Sequence, residues 1–320
     1  MVNEVAIGVD IGGTKIHFAI TDRDGNILNQ HIVPTPVKEG SARIMEQVLL
    51  GIEKMVDAHA AGDSGQTVIT GIGIGSAGQI NFETGEVDHA VDTIPGWTGT
   101  KIRAQVEGKF PFPVYVDNDV NVVALAEKCY GAGLQYKHFL CVTLGTGVGG
   151  AIVNEGEIVR GAFGAAGEFG HITVNYAGPR CSCGNYGCIE LYASGTGIAR
   201  VAQEAIDSNG WKPAWPADSR AVLQAWQQGD EQAAIVMQEV IHALSAALAS
   251  LIHAFNPQAV IIGGGVADSG EQFLSELRKQ TGERTAPAMW RSTKLLPAVV
   301  GNHSGVIGAA AQVWLYSDGK

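Results

Sequence analysis

The sequence predicts an α/β protein built as two domains around a cleft, and three observations carry that prediction. The chain has 320 residues, and at about 150 residues per domain this length favours two domains, each with its own core. Glycine supplies 43 of them, about 13% against a usual ~7%, with no three-residue period of the collagen kind, so the glycines serve turns. One plan also occurs twice: an apolar strand, a glycine turn holding a threonine, and a second apolar strand, over Val5–Ile20 and again over Phe139–Val153. This weak internal repeat predicts two related halves facing each other, with both glycine turns directed into one cleft.

The elements follow in order. Val5 to Ile20 reads as a hairpin around Gly12-Gly13-Thr14, and Asp24-Gly25 turns the chain into a third strand. From Ser41 to His59 the residues Ile44, Val48, Leu49, Ile52, Met55 and Val56 recur at helical spacing. Strands near Val68–Ile74 and Val114–Val116 precede a helix over Asn121–Tyr130 that stops at Gly131. The second hairpin turns around Gly145-Thr146-Gly147, and beyond residue 190 the chain is mainly helical. The longest helix is expected over Ala233–Phe255, closed by Asn256-Pro257, with a broad Ala-rich stripe suited to its own sheet and to a partner subunit. Ala259–Val266 is a short buried strand with a glycine turn, followed by a helix over Gly270–Gln280. A last helix over Gly305–Trp314 returns to the first domain.

Composition narrows the function. Apolar residues make up 46% and charged residues 17%, so little of the chain reads as disordered. A net charge of −11 gathers no phosphate backbone, which argues against a nucleic-acid partner. The start Met1-Val2-Asn3-Glu4 has no basic n-region, and no stretch reads as ~18 apolar residues, so no membrane partner is expected and the protein is placed in the cytoplasm. The five cysteines are an odd number, and three of them, Cys181, Cys183 and Cys188, crowd together, which suits a metal site better than a disulfide framework. Cys129 and Cys141 read as core residues.

Two segments match G-x-G-x-x-G, at Gly73, Gly75, Gly78 and at Gly145, Gly147, Gly150. Neither leads into a helix, which disfavours a dinucleotide fold, and the P-loop pattern is absent. A glycine hairpin still binds phosphate, because backbone N–H groups converge on one anion where no Cβ intervenes. A single such hairpin is more often only a tight turn. Two of them, with Thr14, Thr146 and Asp10 on the first strand, point to phosphate and Mg²⁺. Asp117, Asn118 and Asp119 close a strand before a helix; one of them suffices as helix cap, leaving a carboxylate as general base. His171, Cys181, Cys183 and Cys188 offer one imidazole and three thiolates, the donor set of a closed structural Zn²⁺ site, against the alternative of a free-thiol cluster or redox switch.

On Asp10-Ile-Gly-Gly-Thr-Lys15, Asp117-Asn-Asp-Val-Asn121, Leu144-Gly-Thr-Gly-Val-Gly-Gly150, Gly167-Glu-Phe-Gly-His171, Cys181-Ser-Cys-Gly-Asn-Tyr-Gly-Cys-Ile-Glu190 and Gly263-Gly-Gly265, the chain resembles the ROK sugar kinases. These lie within the actin-like ATPase (ribonuclease H-like) superfamily. The resemblance implies two α/β domains around an interdomain cleft, 1–118 with a helix at about 303–320 returning to it, and 119–302 with the zinc loop 171–190. It implies a homodimer that phosphorylates a hexose with ATP. Asp119 would be the base. Asn118, Glu168, His171, Glu190 and Gly78 would meet the sugar. Asp10, Gly12, Gly13, Thr14, Lys15, Gly145, Thr146, Gly147, Gly264 and Gly265 would hold ATP and Mg²⁺.

The loop Gly75-Ser-Ala-Gly78 and the cysteine segment resemble N-acetylmannosamine kinases more than typical glucokinases. Small, flexible residues there leave room and a backbone N–H for an acetamido group, so the expected acceptor is an N-acetylhexosamine, N-acetylmannosamine before N-acetylglucosamine, with glucose as the alternative. Two other classes compete: a sugar-sensing repressor, for whose added helix-turn-helix the early first strand leaves no room, and a filament-forming scaffold.

Overall fold

The computed structural model describes residues 3–62, 67–90 and 94–317. In chain order the elements are β1 (Asn3–Ile11), β2 (Lys15–Asp22), β3 (Ile27–Pro34), α1 (Ser41–Gly62), β4 (Thr67–Ser76), β5 (Gln79–Asn81), β6 (Glu86–His89), α2 (Ile102–Glu107), β7 (Val114–Asn118) and α3 (Asp119–Tyr130). Then come β8 (Phe139–Leu144), β9 (Val148–Asn154), β10 (Glu157–Ile158), α4 (Glu190–Ala193), α5 (Gly195–Asn209), α6 (Ser219–Gln227), α7 (Glu231–Phe255), β11 (Ala259–Gly263), α8 (Glu271–Arg284), α9 (Pro287–Ser292), β12 (Lys294–Pro297) and α10 (Ser304–Ser317).

Two five-stranded sheets share one plan, β3-β2-β1-β4-β7 and β10-β9-β8-β11-β12. In each, the first hairpin is antiparallel, β1 with β2 and β8 with β9. In each, the next two strands add in parallel, β4 and β7 in one and β11 and β12 in the other. Central strands carry unbroken apolar runs because both faces are covered, as in β1, where Val5 to Val9 are all buried. The edge strand β3 is mostly exposed or half-buried.

Helices find their places by their stripes. α1 buries Ile44, Met45, Val48, Ile52 and Met55 against the first sheet's core, with Phe18 and Ile72. α10 lies close over β1 and β4 because both surfaces are small: a Cβ on Gly8 would strike the Val306 carbonyl and one on Gly73 the Ala309 carbonyl. α7 ends where Asn256 adopts a left-handed conformation, φ 46°, before Pro257, and the two together close the helix.

The chain divides into two compact units, 1–135 with 158–166 and 299–320, and 136–157 with 167–298. The first therefore extends past the 118/119 boundary expected from sequence. The reason is α3, which packs on α10 and β4 and so belongs with the first sheet. The final residues of the helix expected over 303–320, and the first two residues of the chain, lie outside the described residues. The expectation about apolar stretches also needs correction: α7 is long and apolar enough to cross a membrane by length and composition. Most of its apolar residues, Val236, Met237, Val240, Leu244, Leu248 and Ile252 among them, are buried in the fold, with Ile235 and Phe255 exposed, which is the pattern of a core helix.

Candidate functional site

In the first unit, β1 and β2 are joined by Gly12-Gly13-Thr14. The turn is held from behind by Thr35, whose hydroxyl donates to the Gly12 carbonyl at 2.6 Å and whose N–H donates to the Thr14 carbonyl at 3.0 Å. Gly13 and Thr14 stand exposed at the tip with Lys15. Asp10, near the end of β1, lies against the first turn of α10: a Cβ on Gly305 would be 2.5 Å from its Oδ2. Burial pushes the Asp10 carboxyl up to about 6, with Lys15 pulling the other way. A half-buried carboxylate beside a helix N-terminus and a lysine suits a dication and a phosphate.

Asn118 is the N-cap of α3. Its Oδ1 accepts from the Val120 and Asn121 N–H groups at 2.8 and 3.2 Å, and its Nδ2 donates to the Gly78 carbonyl at 3.0 Å. Asp119 opens the helix, with Oδ1 accepting from the Val120 N–H at 3.0 Å. Asp117 is the buried member of the trio. It accepts from the Asn118 N–H at 2.8 Å and the Asn121 Nδ2 at 2.7 Å, and from Arg160 through Nε at 2.9 Å and Nη2 at 2.7 Å. The cap, Asn118, and the candidate base, Asp119, are therefore adjacent residues at one helix start.

The loop Gly75-Ser-Ala-Gly78 is small but not loose. Ser76 is fully buried. The Trp97 indole N–H, also buried, donates to the Ser76 hydroxyl and to the Ala77 carbonyl, both at 3.2 Å. Gly78 has φ +103°, and a Cβ there would meet the His89 carbonyl at 2.9 Å. The freedom expected of this loop is thus removed by Trp97 on one side and Asn118 on the other.

In the second unit, Gly145-Thr146-Gly147 joins β8 to β9 and is clamped by the junction of α4 and α5. The Gly195 N–H donates to the Gly145 carbonyl at 2.8 Å, and the Thr196 hydroxyl to the Thr146 carbonyl at 3.0 Å. Glu190 reaches the same turn: its Oε2 accepts from the Val148 N–H at 3.1 Å, and a Cβ on Gly147 would lie 2.5 Å from that oxygen. Gly264 sits at φ +89°, where a Cβ would collide with the Leu144 backbone, while Gly265 has open space. These glycines bring the β11 turn against the end of β8.

Glu168 is exposed just before a 3-10 turn, Phe169–His171. His171, Cys181, Cys183 and Cys188 present ligand atoms all within 4.8 Å of one another. Cys181 Sγ is 3.8 Å from His171 Nδ1, and Cys183 Sγ is 3.7 Å from Cys188 Sγ. A tetrahedral Zn²⁺ with bonds of about 2.3 Å needs ligand–ligand edges of about 3.8 Å, so the four residues fit that ion. Burial and the neighbouring thiols push Cys188 up to about 12. For Cys181 burial acts upward, but hydrogen bonds involving Cys183, Cys188 and His171 outweigh it and bring the thiol down to about 7. The Ile189 N–H donates to the Ile172 carbonyl at 2.9 Å, which carries the loop's order on to Glu190.

The structure thus gathers Asp10 with Gly12 to Lys15, and Gly78 with Asn118 and Asp119, in one unit. In the other it gathers Gly145 to Gly147 with Glu190, Gly264 with the end of β8, and His171 with the cysteines. Arg160 and Trp97 escape sequence reading. Arg160 has its partners 43 and 156 positions away, and Trp97 stands in a short Gly-Trp-Thr-Gly segment that reads as a turn.

The sequence profile of the ROK family matches residues 6–315. A glucokinase of Halalkalibacterium halodurans is 37% identical over 317 residues, covering 97% of this chain and 94% of its own. A xylose repressor of Caldicellulosiruptor bescii is 30% identical over 313 residues, covering 96% of this chain and 77% of its own. Among solved structures, a ROK glucokinase of Streptomyces griseus in complex with glucose and AMPPNP has a TM-score of 0.80 at 34% identity, with 96% of this chain and 98% of that one covered. The Lmo2764 protein of Listeria monocytogenes, a candidate N-acetylmannosamine kinase, has a TM-score of 0.78 at 25% identity, covering 98% and 99%.

Proposed function

The chain belongs to the ROK family, whose kinases share the two-domain actin-like ATPase fold, and from that premise we propose that it is a glucokinase, transferring the γ-phosphate of ATP to the 6-hydroxyl of glucose. The observation that carries the sugar is whole-length kinship with glucokinases at 37% identity, above the 25% of the candidate N-acetylmannosamine kinase. The closed Ser76–Gly78 loop supports the same choice. The expectation of an acetamido sugar rested on resemblance of this loop and the cysteine segment to N-acetylmannosamine kinases and on flexibility of the loop, and Trp97 and Asn118 take that flexibility away.

In this reading Asp119 accepts the proton of the sugar hydroxyl as its oxygen attacks the γ-phosphorus and ADP departs. Asn118 Nδ2 has two hydrogens; one goes to Gly78 and the other is left for a sugar oxygen. Glu168, His171 and Glu190 read the remaining hydroxyls, since a buried unpaired hydroxyl costs about 1–3 kcal/mol. The glycine turns at 12–14 and 145–147, with Gly264 and Gly265, offer backbone N–H groups to the nucleotide, and Thr14, Thr146 and Lys15 flank them. Asp10 would hold Mg²⁺, which supplies charge neutralisation at the phosphate oxygens when bound. Zn²⁺ would be held by His171, Cys181, Cys183 and Cys188 and would tie the Glu168–His171 and Cys188–Glu190 segments into one support.

A side-by-side measurement of kcat/KM for glucose, N-acetylglucosamine and N-acetylmannosamine in a coupled ADP-release assay tests the sugar. The expected result is glucose ahead by at least about tenfold, equivalent to about 1.4 kcal/mol. N-acetylmannosamine in first place would overturn the assignment and restore the acetamido reading.

A further inference from the structure

We propose that Arg160 is a positioning residue for phosphoryl transfer, fixing through its guanidinium the strand end that presents Asn118 and Asp119; the inference rests on the glucokinase reading. Arg160 lies just after β10, at the start of the 158–166 segment of the first unit. Its guanidinium forms a two-point contact with Asp117, Nε at 2.9 Å and Nη2 at 2.7 Å from the same Oδ2. The pair is well shielded, with side-chain exposures of 18% and 1%. Nη2 also donates to the Tyr316 hydroxyl at 2.7 Å, and the guanidinium stacks 3.6 Å from the centre of the Phe82 ring. Three groups, Asp117, Tyr316 and Phe82, thereby fix the guanidinium, which a flexible lysine ammonium does not reproduce.

Asp117 passes that order on. While Oδ2 faces Arg160, Oδ1 accepts from the Asn118 N–H and from the Asn121 side chain. One carboxylate thus sets the backbone of the cap residue and braces the first turn of α3, where Asp119 sits. The Arg160 backbone is itself held, its carbonyl accepting from the Ala166 N–H at 3.1 Å. Removing the guanidinium leaves the buried Asp117 carboxylate without its cation, so the rotation of Asp117 and the relaxation of Asn118 follow. Reacting groups displaced by about 1 Å lose on the order of 100-fold in rate.

The test compares Arg160→Lys with Arg160→Met and Asp117→Asn in the full-length protein, measuring kcat and the separate KM values for glucose and ATP. Arg160→Lys keeps the charge and is the variant that reports if Arg160→Met does not fold. The expected result for Arg160→Lys is a KM for glucose raised about tenfold and kcat lowered by a similar factor, with the KM for ATP within about twofold of wild type. Asp117→Asn combined with Arg160→Lys should add little to either alone, because both act through one contact. A folded Arg160→Lys enzyme with wild-type kcat and glucose KM, or one whose glucose and ATP KM values rise together, would overturn the inference while leaving the glucokinase reading intact. If the wild-type protein itself turns over no ATP with any hexose, that reading falls and the positioning role falls with it.

Discussion

Asn118 and Asp119 are neighbours at one helix start, and under the proposed reading they divide structural and chemical work. Asn118 meets the ordinary requirement of a helix start, an oxygen for the orphan N–H groups of the first turn. The proposed reading gives Asp119 to the reaction. Asp119→Asn keeps the shape and the first-turn acceptor and loses the base. We expect kcat to fall by about 10²–10⁴-fold with glucose and ATP still bound, measured by single-turnover kinetics beside equilibrium binding. Near-normal kcat at saturating sugar would remove Asp119 from that role. His17 offers a residue-scale test of pH. It is 1% exposed and bonds Gln30 at 3.0 Å, with His303 and Lys15 nearby. Burial lowers its folded pKa below the ordinary 6.5. The folded state then holds fewer protons than the unfolded chain, so stability from this group is complete above 6.5 and is lost as pH falls toward the folded value. Denaturant titrations across mildly acidic pH should show His17→Gln losing less stability than wild type on acidification. Equal losses in the two proteins would mean that another group governs that range.

At the scale of elements, the hairpins and the cysteine loop were legible, because their signals are local in the chain. Alternation around Gly12-Gly13-Thr14 and Gly145-Thr146-Gly147 marks strand, turn and strand, and the spacing of Cys181, Cys183 and Cys188 marks a ligand set. What lay beyond reach was closure by distant side chains. No local pattern says that Trp97 pins Ser76 and Ala77, so composition alone made a rigid loop look flexible. The position of Glu190 on the second hairpin was equally hidden, 42 residues from Val148. The cysteine loop carries the element-scale prediction. Purified protein should contain one Zn²⁺ per chain by elemental analysis, and Cys183→Ser should release it together with thermal stability and sugar affinity, since metal binding is folding free energy for such a loop. A preparation free of zinc and fully active would show that the cluster holds its shape through the backbone alone.

The whole molecule repeats one sheet order in each half, and only part of that duplication could be read beforehand. Antiparallel hairpins are contiguous in sequence and announced themselves; the parallel strands β4, β7, β11 and β12 arrive after helices of unequal length and leave no period to detect. The same scale decides between enzyme and sensor, because the family's members include both a glucokinase and a xylose repressor similar to most of this chain. Sugar recognition alone does not separate the two. A ligand that binds only the folded state stabilises it by about 2.7 kcal/mol at 100 times its Kd, whatever follows. Catalysis asks for more: a base at the acceptor, N–H groups at the phosphates and a carboxylate for the metal. This chain has Asp119 at a helix start, glycine turns in both sheets and Asp10 beside α10, and under the glucokinase reading these would fill the three tasks. We therefore expect glucose to raise the melting midpoint and also to raise ADP release by at least about 100-fold over the sugar-free rate, with both effects saturating over the same glucose range. A melting shift with no ADP release would identify a sugar sensor that has kept the phosphate turns without their chemistry.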